Sequence, residues 1–228
     1  MRRFQTWLIF SVSLVVAGHT WGGAQGGRFI QLSIPTYDGT VSVEKAIKER
    51  RTVRAFRPKP LTSTQFSQIL WSAQGITDEK RTLRAAPSGG ALYPLDVYAV
   101  VGEGGVEGLK CGVYHYHPEG HSIQLILKGD RRKDVANASF WQMWMANAPV
   151  IFVVTSEHER ITRKYGKRGI RYAHIEVGHV GQNIFLQSSA LGLGAGIVGA
   201  FHDGAVAEAI GAPKAHEPLI IMPVGYRK

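Results

Sequence analysis

The stretch from residue 170 to residue 191 constrains the fold most, because it has the pattern of one long amphipathic helix. Its apolar side chains recur at the spacing that places them on a single helical face. They are Ala173, Val177, Val180, Ile184 and Leu191. Gly192 and Gly194 then interrupt the pattern, and glycine is common just after a helix C-terminus. A helix with one apolar face must bury it, so the rest of the chain has to supply a second layer of structure.

The remaining segments are predicted to supply a mainly antiparallel sheet and several shorter helices. Ser42 is a candidate N-cap of one helix, and Thr62 with Gln65 forms a capping box for a second. Residues 118–120 separate two β-forming runs and predict a hairpin. Further strands are predicted at residues 95–101, 149–156, 196–201 and 218–226, and further helices at 131–146 and 203–211, the last capped by Asp203. This pattern predicts an α+β fold, with helices packed on a mainly antiparallel sheet.

Length and composition fit a single globular domain. The chain has 228 residues, of which 44% are hydrophobic and 19% are charged, an ordinary globular balance. The formal net charge is +10. The basic residues are spread over predicted loops and helix ends, so we expect a solvated surface and no nucleic-acid partner. Cys111 is the single cysteine, which excludes an internal disulfide and a cysteine-rich zinc site.

Residues 1–26 have the pattern of an export signal. Arg2 and Arg3 precede an apolar stretch from residue 7 to residue 17, and small residues suited to signal-peptidase cleavage follow near Ala24. The apolar stretch is short for a membrane span, and an uncleaved anchor is the alternative. We therefore expect an exported protein, periplasmic or otherwise extracytoplasmic, with one folded domain over residues 27–228.

A group of basic residues follows the first predicted helix. Arg50, Arg51, Thr52 and Arg54 place three guanidinium groups and a hydroxyl within five residues. Arginine suits a phosphate dianion, because its guanidinium offers paired, charge-assisted hydrogen bonds. A solvated basic helix end, favourable for the helix dipole, is the alternative.

Two glycine-rich segments allow backbone to pass close to a ligand. The first covers residues 85–94, where Ser88 can hydrogen-bond to the polar edge of a flat molecule. It has neither the Gly-Lys-Ser/Thr ending of a nucleotide P-loop nor the glycine spacing of a dinucleotide fold. The second covers residues 192–199. An ordinary turn in the first segment and tight helix–strand packing in the second are the alternatives.

Histidines on the predicted hairpin offer one set of candidate metal ligands. His115 and His117 share a strand face and His121 opens the partner strand, a geometry that could bind zinc or copper. The simpler interpretation is a set of exposed hairpin histidines. We therefore predict no metal site here.

Glu176 and His179 form a Glu-x-x-His pair on the long helix, as in di-iron bundle sites. Such sites need a second pair and further glutamates, which the sequence does not offer. Asn183 lies on the same predicted face. A buried polar network at a helix interface is therefore the better prediction.

Six motifs occur in an order that resembles the flavin-dependent nitroreductase superfamily. They are RRTVRAF, APSGGALYPLDVYAVV, GVYHYHPEGHSI, NAPVIFVVT, RYAHIEVGHVGQNIFLQSSALGLGAGIVGAF and PLIIMPVGY. The sequence is most similar to the SagB/ThcOx-type dehydrogenase branch, which includes the azoline oxidases of thiazole/oxazole-modified peptide synthesis. The resemblance implies an FMN enzyme with an α+β sandwich. It also implies an intertwined homodimer, built around the long central helix, with the flavins at the subunit interface.

The resemblance implies four groups of FMN-binding residues. The phosphate and ribityl chain would be held by Arg50, Arg51, Thr52 and Arg54, with Arg227 as a further basic contact. The isoalloxazine ring would be lined by Pro87, Ser88, Gly89 and Gly90. Its other side would face the backbone of Gly194, Ala195 and Gly196, one N–H of which would reach flavin N5. Near the flavin of one subunit would lie Gln182 and Asn183.

Lys164 and Tyr165 are the expected catalytic pair, since azoline oxidases of this branch carry a Lys-Tyr pair shortly before the long helix. They fall in a predicted basic loop, and Tyr172 is a second candidate proton donor. We therefore expect an exported FMN-dependent oxidoreductase that acts on a small nitro, quinone or azoline-like substrate, with NAD(P)H or another donor. A periplasmic metal-binding protein and a flavin-binding protein without activity are the alternatives.

Overall fold

The computed structural model describes residues 29–78 and 80–228, so the predicted export signal lies outside the described residues. The strands are β1 (Phe29–Gln31), β2 (Ile76–Asp78), β3 (Leu83–Arg84), β4 (Leu95–Val101), β5 (Gly112–His117), β6 (Ser122–Lys128), β7 (Val150–Glu157), β8 (Gly194–Ala195) and β9 (His216–Gly225). The helices are α1 (Val43–Glu49), α2 (Ser63–Gln74), α3 (Arg132–Ala138), α4 (Glu159–Tyr165), α5 (Arg168–Ala190) and α6 (Asp203–Ile210).

The main sheet has the strand order β1-β6-β5-β4-β7-β9-β8, and each of these neighbouring pairs is antiparallel. β7 lies near the middle and is a nearly continuous apolar run, because helices cover both faces of the sheet. Side chains alternate along β4: Val97 and Ala99 pack with α2 and α5, whereas Tyr98 and Val100 pack with α3 and α6. The predicted α+β fold is confirmed.

The long helix and the second helix form where the sequence predicts them. On α5, Ala173, Val180 and Ile184 are fully buried. On α2, the side chains of Thr62 and Gln65 form the predicted capping box. Among residues 29–78 and 80–228, no helix combines the length and the apolar character that a membrane crossing requires.

Three local predictions are wrong. The helix predicted at residues 131–146 ends at Ala138, because Phe140 and Trp141 take φ values of 53° and 59° that no α-helix accepts. The strand predicted at residues 196–201 does not form: β8 ends before it, at Ala195, and the predicted range contributes a single bridge between Val198 and Ile221. Asp203 is the first residue of α6 rather than its cap.

The predicted basic loop around residues 164 and 165 is also wrong, because these residues end helix α4. Ile161 anchors this short helix in the interior. Gly166 then ends it with a φ of 54°, a conformation that glycine adopts without strain. Lys164 and Tyr165 are therefore fixed at the C-terminus of a helix that packs on α5.

Candidate functional site

The arginine segment lies beside the second glycine-rich segment, at the β8 edge of the sheet. Thr52 forms a parallel bridge with Ala195, and the N–H of Val53 donates to the Ala195 carbonyl over 2.8 Å. Arg57 N–H donates in the same way to the Tyr226 carbonyl. The structure thus brings together two of the four groups that the resemblance implies. They are the phosphate group (Arg50, Arg51, Thr52, Arg54 and Arg227) and the backbone group (Gly194, Ala195 and Gly196).

Arg50, Arg51 and Arg54 form no ion pair with any described residue. Arg51 and Arg54 are exposed, whereas Arg50 is half-buried. The guanidinium of Arg50 lies 5.0 Å from the ring centre of Phe185, and that of Arg54 lies 5.8 Å from the ring centre of Trp144. Guanidinium groups without carboxylate partners are available to bind an anion.

Gly194 and Gly196 are required by packing. A Cβ at Gly194 would lie 2.7 Å from the Val53 side chain, and one at Gly196 would lie 2.7 Å from the Trp144 ring. The N–H of Gly196 already donates to the Pro223 carbonyl, so it is not free to reach a flavin. Tight packing, the alternative considered from the sequence, accounts for these two glycines. Arg227 lies close by and donates to the Leu193 carbonyl.

The first glycine-rich loop is held in place by its own hydrogen bond and carries strained backbone. The Ser88 hydroxyl accepts a hydrogen bond from the Tyr93 N–H over 2.9 Å. Gly90 has a φ of 67°, and Tyr93 has a φ of 46°. Positive φ values in non-glycine residues cluster at functional sites. Pro87 and Gly90 are exposed, whereas Ser88 and Gly89 are half-buried.

Lys164 and Tyr165 lie directly against this loop. A Cβ at Gly90 would lie 2.7 Å from the Tyr165 hydroxyl and 3.1 Å from Lys164 Nζ. The Tyr165 ring packs edge-on against Tyr172 at 5.1 Å, and Tyr172 in turn lies next to Gly89. The expected ring-binding loop and the expected catalytic pair therefore form one surface.

Asn183 ties α5 to the start of the same loop. Its amide nitrogen donates to the Ala85 carbonyl at 3.3 Å and to the Ser72 carbonyl at 3.0 Å. These bonds give Asn183 a structural role at the site. Gln182, its neighbour, is exposed on α5.

Glu176 is a buried acid beside this loop, which the sequence suggested as a metal ligand or as part of a buried polar network with His179. It is 2% exposed, and neither carboxylate oxygen has a hydrogen-bonding partner of good geometry among the described residues. Burial raises the pKa of Glu176 to about 7, against the smaller opposing effects of Ser88, Arg84 and Gln74. The predicted network with His179 is wrong, because His179 is exposed. The sequence does contain one indication of this buried acid, because Glu176 occupies a position on the apolar face of the long helix.

The hairpin histidines do not form one metal site. His115 Nε2 donates a 2.9 Å hydrogen bond to the Asp96 carboxylate, and the His115 ring packs against His117. His121 instead bonds to Ser67 and Tyr116, which pack on the opposite face of the sheet. The metal-binding alternative that used all three histidines is therefore contradicted by their positions.

Asp96 organises the polar cluster around His115. Burial alone would raise the pKa of Asp96, but the hydrogen bond from His115 and the charge of Arg160 outweigh it and hold the pKa below its usual value. Arg160 lies 2.8 Å from Asp96 and 2.6 Å from Glu157. Burial lowers the pKa of His117 and of His216, both of which face this cluster.

The sequence matches the profile of the Nitroreductase family over residues 47–226. The chain belongs to this family. The nitroreductase-family protein MJ1384 of Methanocaldococcus jannaschii, which is named as a nitroreductase, is 42% identical over 88% of this chain and 98% of its own length. A solved structure from Ralstonia eutropha JMP134, also named as a nitroreductase, is 25% identical, covers 90% of this chain and 92% of its own, and superposes with a TM-score of 0.78.

A processing protein is also similar to this nitroreductase-family chain. The microcin B17-processing protein McbC of Escherichia coli is 25% identical over 71% of this chain and 61% of its own length. The family predicted from the six motifs is confirmed, and a relative of this kind agrees with the branch named there.

Proposed function

We propose that this protein is a homodimeric, FMN-dependent oxidoreductase of the SagB type, acting on a small nitro, quinone or azoline-like substrate. The observation that carries the proposal is the contact of Lys164 and Tyr165 with Gly90. FMN, when bound, accepts and donates two electrons, while the protein supplies orientation and electrostatics. NAD(P)H or another small molecule serves as the electron donor.

The residues at the β8 edge fit the phosphate end of FMN. Arg50, Arg51 and Arg54 belong to the segment that pairs with β8, and none of them has an ion-pair partner among the described residues. Arg227 lies next to Gly194 at the same edge. Arg51 also donates to the carbonyls of Lys48 and Arg50 at 2.8 Å, which orients its guanidinium. In the proposed complex these groups bind the phosphate dianion through charge-assisted hydrogen bonds.

The loop at residues 87–90 fits the ring end. Gly90 presents bare backbone, and Ser88 is held in place by its bond with the Tyr93 N–H. The ammonium group of Lys164 adds positive charge at this surface, which favours a reduced, anionic ring. In the proposed complex the Tyr165 hydroxyl donates a proton to a substrate that lies on the loop. Glu176 lies on the inner side of the same loop.

Exposed apolar side chains support the proposed dimer. Val43 and Ile47 on α1 are 64% and 55% exposed, and Ile175 on α5 is 52% exposed. α1 packs on α5, so these side chains belong to neighbouring elements. Exposed apolar patches of this kind mark interaction surfaces. A dimer built on α5 combines the arginine edge of one subunit with the ring-binding loop of the other.

The proposed protein is exported, because residues 1–26 have a basic start, an apolar stretch and a small-residue cleavage site. Comparing the mass of the secreted or periplasmic protein with that of the full chain tests this proposal. A cytoplasmic protein that keeps its first 26 residues contradicts it.

The phosphate assignment is tested by the double variant Arg51→Ala/Arg54→Ala. Each lost charge-assisted bond costs about 1.5–3 kcal/mol, so FMN affinity should fall by about a hundredfold or more. The matched control is Arg81→Ala/Arg131→Ala, which removes the same charge from exposed arginines paired with nearby aspartates. FMN titration by fluorescence quenching measures both. Equal affinity in the two double variants contradicts the phosphate site.

A further inference from the structure

Three potential metal ligands converge on a surface that the flavin proposal does not use. They are His158, which precedes α4, His174 on α5 and Glu217 on β9. One ligand atom from each lies within 4.8 Å of the other two. No two of these residues are close in the sequence, so the group could not be recognised from spacing.

The sheet and the long helix fix the positions of these residues. Ser156 pairs with Glu217 across the β7–β9 ladder, and His158 follows two residues later. α5 crosses β9 where a Cβ at Gly181 would lie 3.1 Å from Ile220. His174 lies about 10 Å back along the helix, and Glu217 lies about 10 Å back along the strand. His174 and Glu217 are therefore at similar distances from this crossing point, which agrees with the proximity of their side chains.

His158 is oriented as a metal ligand. Its Nδ1 shares a 3.1 Å hydrogen bond with the buried hydroxyl of Ser156. Its Nε2 is buried and lies 3.2 Å from a Glu217 oxygen, without a hydrogen bond of good geometry to any described residue. Histidines that bind metals are oriented in this way, with the second ring nitrogen held by a polar partner.

The neighbouring charged side chains pair with other groups and leave the three proposed ligands available. Arg160 is paired with Asp96 and Glu157, and His216 lies near the same two carboxylates. Glu217 and His174 are exposed, so a bound cation would keep an open position toward solvent.

We propose that His158, His174 and Glu217 form a binding site for a divalent transition-metal cation such as Zn²⁺. Two imidazoles and one carboxylate are a ligand set that zinc accepts, with water completing the coordination. Zinc bonds of about 2.0–2.2 Å need the ligand atoms to lie somewhat closer together than 4.8 Å. His158 and Glu217 already meet this condition, and the exposed His174 supplies the remaining movement.

A cation bound here would link the α4–α5 helical hairpin to the first residues of β9. Tyr165 lies at the other end of α4, about 10 Å from His158 along the helix. The cation therefore does not contact the proposed ring-binding loop. Its binding is independent of FMN and can be measured on protein with or without flavin.

The test is isothermal titration of ZnCl₂ into the full chain, purified without an affinity tag and freed of metal with EDTA. We expect saturable binding of one Zn²⁺ per chain. Losing an outer-shell partner already costs about 10- to 100-fold in metal affinity, so His174→Ala and Glu217→Gln should each weaken binding by at least about tenfold. Zn²⁺ should also raise the thermal midpoint of the wild type more than that of either variant.

His179→Ala is the matched control, because His179 is also exposed on α5 but lies outside the cluster. It should bind Zn²⁺ as the wild type does. The proposal is overturned if the wild type shows no saturable binding, or if both cluster variants bind as tightly as His179→Ala. Flavin content, measured in the same samples, should not change in any variant.

Discussion

The Tyr165 hydroxyl lies against Gly90, so that a Cβ at Gly90 would come within 2.7 Å of it. This contact joins the end of α4 to a loop that is distant in the sequence. At residue 90 there is room for a glycine but not for a larger side chain. The Lys164 ammonium group lies at the same surface. Small changes on either side of the contact should therefore affect activity before they affect the fold.

Gly90→Ala should displace the Lys164–Tyr165 pair and lower turnover by about tenfold or more, because catalysis is sensitive to shifts of about 1 Å. Alanine at a positive φ should also cost about 1–2 kcal/mol of folding free energy. Gly104→Ala is the control, since Gly104 has a φ of 58° but open space around it. We expect the two variants to have similar thermal midpoints, and we expect only Gly90→Ala to lose turnover. Equal turnover in the two variants contradicts the role of this contact.

Tyr165→Phe should lower turnover by about 10²-fold or more, because it removes a proton donor while keeping the ring that packs on Tyr172. FMN affinity should not change. Steady-state kinetics of this variant and of Tyr172→Phe separate the two candidate donors. A large loss in Tyr172→Phe alone would assign proton transfer to Tyr172 instead.

Glu176 should make stability depend on pH. Its pKa is raised to about 7 in the folded protein, above the ordinary value of 4.5, so the folded state holds a proton that the unfolded state has already released. Stability should therefore fall by about 3 kcal/mol as the pH rises from about 4.5 to about 7, and then level off. Glu176→Gln should lose this dependence, while Glu208→Gln, at an exposed position, should keep it. Thermal unfolding between pH 4 and pH 8 measures the difference, and identical profiles for the wild type and Glu176→Gln rule it out.

The sequence was sufficient to predict the elements whose own pattern is strong. α5 follows from its apolar face, and α2 follows from the Thr62–Gln65 capping box. α4 could not be predicted, because Ile161 is its one buried residue and packing on α5 stabilises it. The break after α3 depends on the positive φ values of Phe140 and Trp141, which no local pattern indicates.

The sequence predicted which residues belong to the candidate site, but it did not predict which of them contact each other. The arginine segment and the glycine-rich segment at residues 85–94 could be predicted from their chemistry, and the ring-binding role of residues 87–90 from the family resemblance. The pairing of Gly90 with Tyr165 depends on how α4 packs against the sheet and α5, and Glu176 becomes notable only once its burial is known. The hairpin histidines show the converse, because alternation along β5 and the turn send His121 to the other face of the sheet.

The flavin content of the purified wild-type protein tests the central proposal most directly. We predict about one bound FMN per chain after reconstitution with FMN and gel filtration. The protein-bound flavin should lose its visible absorption on two-electron reduction and regain it when a quinone or nitro compound is added. A colourless protein that fails to retain FMN after reconstitution contradicts the account.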